Sequence, residues 1–161
     1  MAKKGDFNAE EWSTVVEGPL LASMRVVAAG RGGTIRESLA IGRVYSEARQ
    51  GQGESELLDE LVASPPGVDR QQLQGAGDIA TVSGGRLREA LRVLNEKASA
   101  GEVEAYKRFV VDVAQAAAEA HKEGGFIGIG GKQISDEEQA ALDEIRSILE
   151  GQGGHGDQAP Q

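Results

Sequence analysis

The residues of this chain best placed to meet a ligand lie between positions 112 and 138. Five glycines fall within eight positions, Gly124, Gly125, Gly128, Gly130 and Gly131, just ahead of a helix start at Ser135. Backbone N–H groups left free before a helix N-terminus can cradle an anion, and Lys132 would add a cation. The segment departs from the phosphate-binding patterns: Phe126 stands where the first glycine is required, Gln133 follows Gly131-Lys132 in place of Ser or Thr, and a helix precedes it where those patterns have a strand. Two further readings stay open. The glycines can serve positive φ and close backbone passage while Phe126, Ile127 and Ile129 plug the space between helices. Alternatively those three side chains are exposed as a hook for a partner. The plug is the first expectation, and Gly124 to Lys132 is the partner- or ligand-binding loop if the chain shows one.

Carboxylates offer the other chemistry. Asp112, Glu119 and Glu123 are spaced seven and four residues apart, which places them on one helix face, with Asp136 and Glu137 beyond the glycine segment. A hard divalent cation needs several such oxygens converging. No Asp-rich calcium loop is present, so a solvated acidic face is the first expectation, with no cofactor, and a divalent-metal site is the alternative. His121 and His155 are the two histidines, and neither has a second at ligand spacing. His121 stands near a helix end, where its charge suits the last carbonyls. The chain has no Cys, which excludes disulfides, thiolate metal sites and Cys nucleophiles. Ser83, Ser99 and Ser135 fit loop or capping roles. Nothing positions a nucleophile, so a non-enzymatic protein is expected, and a small enzyme without recognisable motifs is the remaining reading.

Charge and hydropathy narrow the partners. The 26 acidic and 17 basic residues leave a formal charge of -9, which repels a phosphate backbone and argues against nucleic acid. No stretch approaches the roughly 18 apolar residues of a membrane span, and Met1 to Asp6 lead into no apolar region. The expectation is a cytoplasmic protein with a protein partner and no integral membrane association; nothing in the sequence sets an oligomeric state.

The elements that must position these groups are helices. The length of 161 residues suits one core, and aromatics at 4% mean that Ala, Val, Leu and Ile must build it, which favours closely approaching helices. Asn8 with Glu11 forms a capping box, and Phe7 with Trp12 a hydrophobic staple. Val15, Val16, Leu20, Met24 and Val27 then recur at helical spacing, with a kink or break expected at Gly18-Pro19. A glycine elbow, Gly30 to Gly33, hands over to a second helix at the Thr34/Glu37 box. That helix carries Ile35, Leu39, Val44, Tyr45 and Ala48 as its apolar face and stops near Gly51 to Gly53. A short third helix holds Leu57, Leu58, Leu61 and Val62 before Pro65-Pro66. From Ser64 to Gly85 the pattern is irregular, with room for a short helix over Asp69 to Gln74. Helix resumes at Arg86 with Leu87, Ala90, Leu91 and Leu94. The Ser99/Glu102 box opens a long helix through Val103, Tyr106, Val110, Val113, Ala117 and Ala120, and the Ser135/Glu138 box opens the last one, with Leu142, Ile145, Ile148 and Leu149.

The expected architecture is therefore all-α, a compact bundle of about six or seven helices, in which two helix, glycine loop, helix units form pseudo-equivalent halves. Residues 1–6 are read as a flexible N-terminus, 7–150 as a single helical domain and 151–161 as a disordered Gly/Gln-rich tail.

The last third, from Ala114 to Ile145, with its small-residue helix, glycine turn, Ile134-Ser135-Asp136-Glu137-Glu138 and closing helix, resembles the tellurite-resistance TerB-like family. Lys122-Glu123 precede Gly124 where that family carries an Asp before its glycine, and Glu123 and Glu138 match its acidic positions. The resemblance implies a compact all-helical domain with helical-hairpin symmetry. It also implies an acidic binding or scaffold module in stress-response assemblies, with a carboxylate metal-binding stress protein of TerB-like type as the alternative.

Overall fold

Capping boxes set the helix starts. Asn8 N donates to Glu11 Oε2 at 2.8 Å while Glu11 N donates to Asn8 Oδ1 at 2.9 Å. Ser99 and Glu102 form the same reciprocal pair, as do Ser135 and Glu138. Each box satisfies two N–H groups that a helix start otherwise leaves without partners.

The structure is a computed structural model that describes residues 2–30, 34–51, 53, 55–63, 79–122 and 134–151, with backbone alone at 34–37, 121 and 122. After a 3-10 turn at Lys4–Asp6 come α1 (Ala9–Gly30), α2 (Thr34–Gln50), α3 (Glu56–Ala63), α4 (Ile79–Lys97), α5 (Ala100–Lys122) and α6 (Asp136–Leu149). The fold is an all-helical bundle, with no strand among the described residues. No described helix is long and apolar enough to cross a membrane.

α1 and α5 pack on each other and form the centre. α4 and α6 lie against α1, α2 lies against α5, and α3 bridges α2 and α5. The stripe expected on α5 is buried throughout, and Phe109, Ala114 and Ala118 are buried beside it. A helix enclosed on so many sides needs small side chains where its neighbours come closest, and the alanines supply them. Leu57 and Leu61 of α3, Leu87 and Leu94 of α4, and Leu142 and Ile145 of α6 are all at most 1% exposed. Each contributes about 1.5–3 kcal/mol from removing its side chain from water. The two helix, glycine loop, helix units, α1–α2 and α5–α6, thus meet through their long helices.

The structure bears on three expectations. Gly18-Pro19 does not break α1, which is helical from Ala9 to Gly30. Pro19 has no N–H for the carbonyl of Val15, four residues earlier, and Tyr106 Oη donates to that oxygen instead at 2.8 Å. Helix α4 starts at Ile79 and not at Arg86. Gly84-Gly85 reads as a breaker in sequence, but the helix runs through both, and buried Gly84 packs beside α6, where an added Cβ would lie at ordinary contact distance, 3.4 Å, from Ile148 Cδ1. Residues 2–6, expected to be a flexible end, lie on the bundle: Ala2 is 3% exposed and its N–H donates to Glu102 Oε1 at 2.9 Å. The short helix expected over Asp69 to Gln74, and the tail from 152 onward, lie outside the described residues.

Candidate binding groove

The glycine loop from Gly124 to Lys132, expected to meet a partner or ligand, lies outside the described residues, as does Glu123. The helices flanking it are described, and the start of α6 meets the end of α1. Gly30, the last residue of α1, lies against Glu138 in the first turn of α6, so closely that a Cβ on Gly30 would stand 2.1 Å from Glu138 Oε1 and 2.6 Å from its Cδ. Glu138 is 2% exposed. Its Oε2 accepts both Ser135 N and Ser135 Oγ at 2.9 Å. Glu138, one of the acidic positions of the TerB-like resemblance, is thus occupied as a helix cap beside the end of α1.

A groove of about 510 Å³ runs between α2 and α5 near this end of α5. Ala40, Val44, Ala116 and Ala120 form its apolar part, Leu39 stands beside them, and the exposed Arg43, Glu47 and Glu119 add charge. Leu39 is 69% exposed, the one large hydrophobic side chain so exposed among the described residues. The sequence reading put Leu39 on the buried face of α2, and the structure corrects this. Ile41, Val44, Tyr45 and Ala48 are the residues that α2 turns to the core. They recur at the i, i+3, i+4, i+7 spacing of one helical face, and Leu39, two residues before Ile41, falls roughly opposite. That register was the signal available in sequence. Tyr45 meets Phe109 edge-on, with ring centroids 5.0 Å apart. Its hydroxyl is buried with no hydrogen-bond partner among the described residues, and burial pushes its pKa well above the usual phenol range.

A smaller groove of about 220 Å³ lies between α5 and α6, where Val111 and Leu149 are flanked by Lys107, Arg108, Asp112 and Arg146. Burial raises the Asp112 pKa, with nearby Arg108 working against the rise. Asp112 and Glu119 share a side of α5, as their spacing requires, and Gln115 stands between them. Gln115 Nε2 donates to Glu119 Oε1 at 3.0 Å, and Gln115 Oε1 accepts from Arg146 Nη2 at 3.1 Å. An amide therefore engages Glu119, and Arg108 stands near Asp112. Among the described residues no three His, Asp or Glu side chains converge as metal ligands would.

The serines expected to be structural are engaged locally: Ser83 Oγ donates to Ala80 O, and the Ser99 and Ser135 hydroxyls donate to Glu102 and Glu138. Comparison with protein-family models, curated proteins and solved structures finds no match for this chain.

Proposed function

We propose that this chain is a non-enzymatic helical binding module whose α2–α5 groove seats an apolar side chain of a protein partner. The observation that carries this reading is Leu39, exposed at 69% beside an open groove between α2 and α5 whose lining is about half apolar. A groove with an apolar floor and a few charged side chains is a common way to anchor a partner's side chain. Glu47 and Glu119 at the groove, and the net charge of -9, favour a partner with basic residues around its apolar anchor. The same charge disfavours nucleic acid, and a cytoplasmic setting fits a chain with no Cys. The resemblance to the TerB-like family extends the proposal to an acidic scaffold in a stress-response assembly.

The test compares the wild-type chain with Leu39→Asp as baits in native lysate. Leu39 is so exposed that the substitution should change stability by less than about 0.5 kcal/mol. A partner retained by the wild type, lost with Leu39→Asp and released by salt supports the groove. Equal capture by both baits removes the groove as the contact, and turnover in a broad substrate screen removes the non-enzymatic reading.

A further inference from the structure

The segment Ala2–Phe7 crosses the ends of three helices and is held there chiefly by carboxylates. Ala2 N donates to Glu102 Oε1 of α5 at 2.9 Å, and Lys4 N donates to Glu60 Oε2 of α3. Lys3 N donates to Asp6 Oδ2 within the segment at 2.8 Å, and Lys3 Nζ pairs with Glu56 of α3 at 3.1 Å. At the far end Lys97 of α4 reaches Asp6 O at 3.0 Å and Glu11 of α1 at 2.6 Å. Its ammonium also lies 5.7 Å from the centre of the Phe7 ring. Phe7 in turn covers Trp12, with ring centroids 5.6 Å apart. Three successive N–H groups, of Ala2, Lys3 and Lys4, therefore end on side-chain carboxylates where a helix or sheet would supply carbonyls. Carbonyl partners are indifferent to mild acid; carboxylate partners are not.

We propose that Ala2–Phe7 is an acid-released strap: protonation of Glu102, which holds its first N–H at the start of α5, loosens the segment and uncovers Trp12 before the helices melt. The order follows from what holds each part. The contacts among α1, α4, α5 and α6 are mainly apolar, with the ion pairs Lys97–Glu11 and Arg25–Glu144 at their edges, whereas the strap has two buried apolar anchors, Ala2 and Phe7. Burial raises the Glu102 pKa, but the hydrogen bonds from Ser99 and Ala2 outweigh it, so the carboxyl sits below its ordinary 4.5. The hydrogen bond from Lys97, with that from Asn8, lowers Glu11 likewise. A carboxyl depressed in the folded state stabilises it above the ordinary pKa, and that contribution fades as pH falls through the depressed value. Release therefore belongs below pH 4.5, with the strap closed at neutrality.

The experiment is an acid titration of the full chain, starting at neutral pH, with three readouts: far-UV ellipticity for the helices, emission of Trp12 (the chain's single Trp) and exchange protection of the Lys3 and Lys4 amides. The expected result is a red shift of Trp12 and loss of both protections at a higher pH than the loss of ellipticity. One coincident transition in all three readouts overturns the proposal. Ala2→Pro provides a second arm, since it removes the N–H given to Glu102 and leaves the Ser99/Glu102 box intact. It should show the red shift and the lost Lys4 protection at neutral pH with unchanged ellipticity, and wild-type emission and protection in this variant also overturn the proposal. Should Ala2→Pro fail to fold, the wild-type titration decides alone.

Discussion

Tyr106 Oη donates to the carbonyl of Val15 at 2.8 Å, and that carbonyl is the one Pro19 leaves without its helical partner. Gly18 completes the arrangement, because a Cβ there would stand 2.1 Å from Tyr106 Oη and 3.3 Å from Cζ. Proline creates the vacancy, glycine opens the path, and tyrosine fills it. Tyr106→Phe should cost about 1–3 kcal/mol by leaving a buried carbonyl unpaired. Gly18→Ala should cost at least as much in the wild-type background and clearly less in Tyr106→Phe, where the clashing oxygen is gone. Denaturant unfolding of the two single variants and the double variant gives the coupling; strictly additive losses would show that Gly18 and Tyr106 act separately.

Tyr45 gives the opposite expectation for the same substitution. Its hydroxyl is buried with no hydrogen-bond partner among the described residues, while its ring makes the edge-on contact with Phe109. Tyr45→Phe keeps the ring and removes the unpaired group, so stability should stay level or rise by up to about 1 kcal/mol. A loss comparable to that of Tyr106→Phe, read from the thermal midpoints of the two variants, would show that the Tyr45 hydroxyl has a partner after all.

Glycines in this chain divide by what surrounds them. Gly30 is closed in by Oε1, Cδ and Cγ of Glu138, all within 2.9 Å of an added Cβ. Glu138 cannot swing away without abandoning its bonds to Ser135, so Gly30→Ala should destabilise by about 1–3 kcal/mol through overpacking. Gly42 of α2 and Gly85 of α4 have nothing within 4 Å of an added Cβ. There alanine should stabilise by about 0.5–1 kcal/mol at each position, from helix propensity alone. Chemical denaturation of the three variants tests the contrast, and a stabilised Gly30→Ala would refute the close contact between Gly30 and Glu138.

Much of the fold was legible because its signals are local. A capping box spans four residues, and Asn8/Glu11, Ser99/Glu102 and Ser135/Glu138 each mark a helix start that the structure shows. The apolar stripe of α5 is likewise contained in one helix. What could not be read depends on residues far apart in the chain. Gly18-Pro19 signals a break unless Tyr106, some 90 residues away, supplies the missing bond. Gly84-Gly85 signals a loop, yet α4 runs through both and packs Gly84 beside Ile148, over 60 residues on. Ala2 reads as a loose end because its anchor, Glu102, already had a local role in capping α5. The α2–α5 groove was missed for a different reason: assigning Leu39 to the core needed only an apolar residue on a helix, whereas exposing it required the register of Ile41, Val44, Tyr45 and Ala48.

Asp112 separates the metal reading from the solvated-face reading through the sign of its effect. Burial raises its pKa, with Arg108 opposing. A carboxyl whose pKa is raised on folding costs stability when ionised, and that cost disappears as pH falls through the ordinary and raised values. Without a metal, Asp112→Asn should therefore raise the melting temperature at neutral pH, by an amount that shrinks toward zero in acid. Because Asp112 is exposed to solvent, screening keeps the gain small. A site binding a divalent cation through Asp112 and Glu119 gives the reverse: added calcium or manganese raises the wild-type midpoint, EDTA lowers it, and Asp112→Asn abolishes both responses. Thermal melts of both proteins, with chelator and with each cation, distinguish the two outcomes. A cation-dependent midpoint lost in Asp112→Asn would establish the carboxylate site, whereas identical wild-type curves with EDTA and with cation would leave α5 with a solvated acidic face.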